Sequence, residues 1–139
     1  MQYKRLKDTI IIRIDIGEDI GEEIKNVAIK EKIKLASISG LGAVDKLTIG
    51  VYKPKEKKYY PNSFEGDFEI VSLTGTITTM NNEVYPHIHI SVGDDKGHVV
   101  GGHLNEAIVS VTCEVVLRLI DGSVDRTYNE EIGINLLKL

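Results

Sequence analysis

Apolar positions recur along this chain with two different periods. From Ile20 through Ile24, Val27 and Ala28 they follow helical spacing, while Glu22, Glu23, Lys25, Asn26 and Lys30 take the opposite side. That pattern predicts an amphipathic helix near the amino terminus, from Asp19 to Lys32. Asp19 with Glu22 three residues on resembles a capping box, in which the aspartate oxygen satisfies a free amide of the first turn. Ahead of the helix, the isoleucine-rich Thr9 to Asp15 ends at Gly17 and reads as a strand.

After the helix the period changes to two. Leu35 to Ile38 begins a strand that is expected to break at Gly40-Leu41-Gly42. Leu47, Ile49 and Val51 then alternate with polar or small neighbours, as do Val71, Leu73 and Ile77, and Val84, Ile88, Ile90 and Val92. The longest such run is Val109, Val111, Cys113, Val115, Leu117 and Leu119. Asn81-Asn82, Gly93-Asp94-Asp95 and Asp121-Gly122-Ser123 separate these runs with turn chemistry. Lys53 to Ser63 reads as the one long loop, and Ile132 to Leu139 is a final apolar piece. The expectation is a single α+β domain over residues 1–139, with a mostly antiparallel sheet that packs one face on a core.

The other face of that sheet carries Ser72, Thr74, Thr76, His87, His89, Ser91, Ser110 and Thr112, with Glu114 and Arg118 further along. A strand face in water usually carries lysine and glutamate. Small hydroxyls with histidines suit a pocket or a polar subunit interface, although an ordinary solvated, threonine-rich face reads the same way.

Composition narrows the function classes. The chain has 139 residues, 42% of them hydrophobic and 27% charged, which is ordinary globular composition. A net charge of −4 supplies no overall attraction to nucleic acid or anionic lipid. Cys113 is the only cysteine, reads as a small buried filler and excludes an internal disulfide. Arg13 cuts the apolar run Ile10-Ile11-Ile12, too short for a signal segment, and no stretch suits a bilayer. A soluble, cytoplasmic protein is expected.

Chemistry concentrates in Pro86-His87-Ile88-His89-Ile90 and Gly101-Gly102-His103-Leu104. Strand side chains alternate faces, so His87 and His89 project from one side. A hairpin through Gly93 to Gly97 would bring His103 beside them, with Gly101 and Gly102 free to take positive φ and turn the chain. Three imidazoles can hold zinc or a similar divalent metal with a coordination position left open. The alternative is a set of hydrogen-bonded or exposed imidazoles. His98 reads as surface or outer support, and Glu114 is a candidate to hold the second nitrogen of a ligating ring.

The segments Gly40-Leu41-Gly42-Ala43-Val44, Phe68 to Gly75, His87-Ile88-His89, Gly97 to Leu104 and Glu114 to Leu117 occur in order over nearly the whole chain. In them the sequence resembles a prokaryotic member of the plants-and-prokaryotes-conserved (PPC) domain family. The resemblance implies a compact α+β fold with a strongly bent sheet, assembled as a homotrimer, and a metal site on His87, His89 and His103. Plant relatives join the domain to AT-hook tracts of the Arg-Gly-Arg-Pro type; this chain has none, so the DNA-binding label of the family finds little support here.

Three functions remain open at this stage. The first is a metal-binding homotrimer, with about one metal per chain and a small anionic ligand at the metal, in a regulatory or assembly role. The second is a zinc-dependent lyase, because the histidine pattern is also similar to the zinc site of acetolactate decarboxylase. Glu114 and Arg118 would then be its acid and cation, although an ion pair within the sheet or between subunits explains them equally well. The third is nucleic-acid binding through Lys53-Pro54-Lys55-Glu56-Lys57-Lys58-Tyr59-Tyr60, which reads more simply as a solvated hairpin tip. Direct contact with nucleic acid is the weakest of the three, and a non-enzymatic binding or assembly module is favoured over an enzyme.

Overall fold

Eight strands and one helix make up the computed structural model, which describes residues 1–139. In chain order they are β1 (Gln2–Leu6), β2 (Thr9–Ile14), α1 (Ile20–Lys30), β3 (Ala36–Lys53), β4 (Lys58–Met80), β5 (Glu83–Gly93), β6 (Val99–Leu119), β7 (Asp125–Asn129) and β8 (Ile134–Lys138). The expected α+β class therefore holds in a strand-dominated form. The sheet is mixed: its pairs are antiparallel except for a single parallel contact between β4 and β7.

Pairing closes on itself through four strands. β3 is bonded to both β4 and β6, and β5 is bonded to the same two strands. That closure demands strong bending, and the chain supplies it with bulges. The expected break at Gly40-Leu41-Gly42 is not a break but a register shift inside the continuous 18-residue β3. Gly42 sits there at φ +149, and a side chain on it would run into the Thr112 carbonyl.

The same irregularities explain two apolar residues that were expected inside. Val71 and Val111 are 61% and 64% exposed. Val71 falls in the register shift between Ile70 and Ser72. Val111 lies where β6 carries extra residues opposite the Gly42–Val44 step. Val51, expected to follow Leu47 and Ile49 inward, is 57% exposed and borders a cavity instead. Alternation holds for Ile10, Ile12 and Ile14, then Ile88, Ile90 and Val92, then Val109, Cys113, Val115 and Leu117, which all enter one core. Each isoleucine or leucine fully buried there contributes about 1.5–3 kcal/mol.

Helix α1 covers one side of this core with Ile20, Ile24, Val27 and Ala28. Asp19 caps it as expected, its Oδ1 accepting from the Glu22 amide at 2.8 Å. Its Oδ2 accepts from the Ala107 amide at 2.9 Å, so the cap also ties the helix to β6. No helix is long and apolar enough to cross a membrane.

The expected long loop from Lys53 to Ser63 is instead the tip of the β3–β4 hairpin, with pairing that begins at Lys53 and Lys58. Pro61 is tolerated because β4 pairs only with β3 along this stretch. The tail forms a ribbon, β7–β8, that leaves the end of β4 through Thr79 and returns over the hairpin tip. There Tyr52 Oη donates to the Ile132 carbonyl at 2.7 Å and Lys57 Nζ to the Glu130 carbonyl at 2.8 Å.

Candidate metal centre

The β5–β6 hairpin assembles the centre. Its turn is held by Asp94, whose Oδ1 accepts from the Lys96 and His98 amides at 2.9 and 2.8 Å, and by Gly97 at φ +77. The register that follows places His89 opposite His103. His87 and His89 share a face of β5, as the period of two requires. The three imidazoles converge, with their ligand atoms within 4.8 Å of one another and ring centroids 5.1, 5.2 and 5.6 Å apart.

Gly101 and Gly102 do not act as a turn. Neither has positive φ, and both lie within the extended β6. They are needed for close approach instead: a Cβ on Gly101 would stand 2.9 Å from the Ile90 carbonyl oxygen, and one on Gly102 would stand 2.8 Å from that of Gly50. His103 is thus pinned between β5 and β3, opposite His89 on one side and Gly50 on the other.

The environment favours the neutral ring at His87 and at His103. Burial pushes the His87 imidazole down to about 4, helped by His103, Arg126 and His89 nearby. Burial, then His89, also lowers His103. Neutral imidazole is the form that ligates metal. Three imidazole nitrogens gathered this closely are a donor set that would hold a zinc-like ion. The donor set fits a zinc-like ion with one position open.

These histidines border a cavity of about 670 Å³. Its far wall comes from the ribbon and from β5: Arg126, Asn135 and Tyr85. Sequence reading missed all three. Arg126 is only 8% exposed, its Nε donating to Thr78 Oγ1 at 2.8 Å and its Nη1 to the Asn135 carbonyl at 3.1 Å. The guanidinium lies 4.8 Å from the Tyr85 ring centroid.

Glu114 and Arg118 are not brought to the histidines. Both are exposed on the distal part of β6, Glu114 at register with Arg13 and Leu41, and Arg118 with Thr9 and Ser37. They share a face, but the length of β6 carries them away from His103, and the cation at the site is Arg126. His98 stands on the hairpin turn, 3.2 Å from the Asp94 carboxylate, with no part in the centre. Of the other polar-face residues, Thr76 pairs with His87, Thr74 with His89 and Ser72 with Ser91, an open small-hydroxyl surface beside the centre.

The lysines of the hairpin tip are largely engaged. Lys53 lies 3.4 Å from Glu56, Lys57 is bonded to the ribbon, and Lys53 and Lys58 lie over the Tyr60 ring, whose hydroxyl bonds Glu56. Tyr59 faces the cavity and bonds Asn105.

Comparison with known proteins agrees with this architecture. The family model of the Plants and Prokaryotes Conserved (PCC) domain matches residues 1–121. A protein from Bacteroides thetaiotaomicron, described as a proposed DNA-binding protein, is 34% identical over 99% of this chain and 96% of its own, with a TM-score of 0.96. A metal-containing protein from Archaeoglobus fulgidus is 31% identical over 99% of this chain and 97% of its own, at 0.87. The plant- and prokaryote-conserved protein of Pyrococcus horikoshii is 30% identical over 99% and 94%, at 0.86. No curated protein matches.

Proposed function

Because the chain belongs to the Plants and Prokaryotes Conserved (PCC) domain family, we propose that it is a metal-binding assembly module, holding one zinc or similar divalent ion per chain on His87, His89 and His103. The convergence of the three imidazoles carries this reading. The similarity to a relative described as metal-containing supports it. The bound ion would supply a Lewis-acidic position for a small anionic ligand. The chain's own residues keep the His87 and His103 imidazoles neutral by burial and wall the cavity with the ribbon.

The module acts as a homotrimer in this proposal. Support comes from Leu41, Val71, Val99 and Val111, apolar side chains each more than half exposed, and from the small hydroxyls around His89. Such surfaces suit burial against copies of the chain.

Two other readings carry less. A lyase of the acetolactate decarboxylase type would need an acid beside the metal, and no Asp or Glu lines this cavity. Direct DNA binding has the description of the Bacteroides relative in its favour, but the net charge of −4 and the engaged lysines oppose it. Retention of duplex DNA at physiological salt, falling steeply as salt rises, would revive it.

The decisive experiment is elemental analysis of tag-free protein alongside its mass in solution. About one metal per chain is expected, with His89→Ala losing it by roughly a hundred-fold or more in affinity while the oligomer mass stays constant. An intact fold without metal overturns the site, and a monomeric mass overturns the assembly.

A further inference from the structure

A buried guanidinium ordinarily sits against a carboxylate, because an unpaired charge is costly to remove from water. Arg126 has no such partner. It is 8% exposed, joins no ion pair, and no acidic residue lines the cavity it borders. Of the five N–H donors of an arginine, one goes to Thr78 and one to the Asn135 carbonyl. No fully buried side-chain polar atom in the chain lacks a hydrogen-bond partner, so Nη2, which makes neither of these bonds, is accessible. The cavity beside it is where an occupant can meet it.

The position of that charge relative to the histidines is set by the sheet. Arg126 bonds Thr78, whose partner on β5 is Tyr85, and its guanidinium lies over the Tyr85 ring. Tyr85 and His87 are alternate residues of one strand, so the guanidinium stands roughly 7 Å along it from the nearest imidazole, that of His87. Arg126 and the three histidines border the same cavity, with Val51, Ile134 and the Tyr85 ring as its less polar wall. The tail that supplies Arg126 and Asn135 lies beyond the residues 1–121 matched by the family model.

We propose that Arg126 is the carboxylate anchor of this cavity, and that the cavity takes a small organic acid bearing a second oxygen donor, its carboxylate on the guanidinium and its other oxygen toward the three imidazoles. The planar fork of arginine matches the two oxygens of a carboxylate. The short span selects acids of few carbons. The absence of any competing carboxylate leaves the positive charge to the ligand. The orientation of the second oxygen rests on the metal-site reading above; the anchoring by Arg126 does not.

Calorimetric titration of metal-loaded and metal-stripped protein with lactate, malonate, acetate and inorganic phosphate tests this. Lactate or malonate is expected to bind the loaded protein at least ten-fold tighter than acetate. Arg126→Gln should weaken that binding by about ten- to a hundred-fold and Arg126→Lys by less, with metal content unchanged. In stripped protein the acids should bind more weakly and still depend on Arg126. Equal affinities in wild type and both variants overturn the proposal, as does phosphate binding tighter than either acid. Should Arg126→Gln fail to fold, the lysine variant decides. A wild type that takes up no metal sinks the metal reading alone, and Arg126 is then judged by the stripped-protein comparison.

Discussion

Gly102→Ala tests whether close strand approach, rather than a turn, assembles the centre. Its added Cβ would lie 2.8 Å from the Gly50 carbonyl oxygen and 3.3 Å from the Gly50 nitrogen. Ordinary contact begins near 3.4 Å, so β3 and β6 must separate by roughly 0.6 Å, against a normal spacing of about 4.8 Å. The next residue is His103, itself opposite Gly50 and His89. Metal–ligand distances tolerate about 0.2 Å, so the shift is about three times what a site can absorb without rebuilding. Strain of this kind costs about 1–3 kcal/mol in stability, and metal affinity should fall by about ten- to a hundred-fold. Gly93→Ala is the control, because its Cβ would meet Val71 at 3.4 Å, Val99 at 3.9 Å and the His98 carbonyl oxygen at 4.0 Å, all ordinary contacts. Chelator competition measures metal affinity and thermal unfolding measures stability. Gly102→Ala with metal affinity within two-fold of wild type and an unchanged Tm refutes the reasoning. Equal losses in both variants refute it too, since strand propensity would then be the cause.

Two further outcomes are expected. In metal-free protein, His87 titrates at about 4 in the folded state and near 6.5 when unfolded, and His103 is also lowered, so the unfolded chain binds more protons between those values. Stability is therefore full above pH 6.5 and falls as pH drops toward 4, by about 1 kcal/mol after solvent screening of a half-buried ring. Urea midpoints at pH 7.5 and 5 should show this, and His87→Asn should flatten it. A flat wild-type profile contradicts the argument. Ion-paired carboxylates such as Glu18, held low by the terminal amine, and Glu31, held low by Arg5, act only at lower pH. Burial pushes the Cys113 thiol up to about 12, so iodoacetamide should leave native protein unmodified at pH 8 and alkylate it once unfolded; rapid native labelling would show that the β6 core opens.

What was legible in the chain and what was not divides by how far apart the interacting residues lie. The helix, its Asp19 cap and the shared face of His87 and His89 depend on neighbours a few residues away, and period and propensity record them directly. His103 was reachable because one short hairpin separates it from His89, and the turn residues fix that register. The reason for its glycines was not reachable: whether Gly102 turns or admits a neighbour depends on Gly50, a partner that local sequence does not name.

The same limit explains the cation. Arg118 was legible as a same-face neighbour of Glu114, yet a face is a local property, and the bulge near Val111 with the length of β6 takes both residues away from the histidines. Arg126 reaches the cavity only because the β7–β8 ribbon is fastened at both ends, by Thr79 at its root and by Tyr52 and Lys57 at its turn. None of these fastenings has a spacing signature. The histidine cluster could therefore be read from sequence, while the arginine that shares its cavity had to wait for the long-range register. The family model alone would not have pointed to it, since its match over residues 1–121 contains the three imidazoles and stops short of the arginine, whereas the solved relatives cover 99% of the chain.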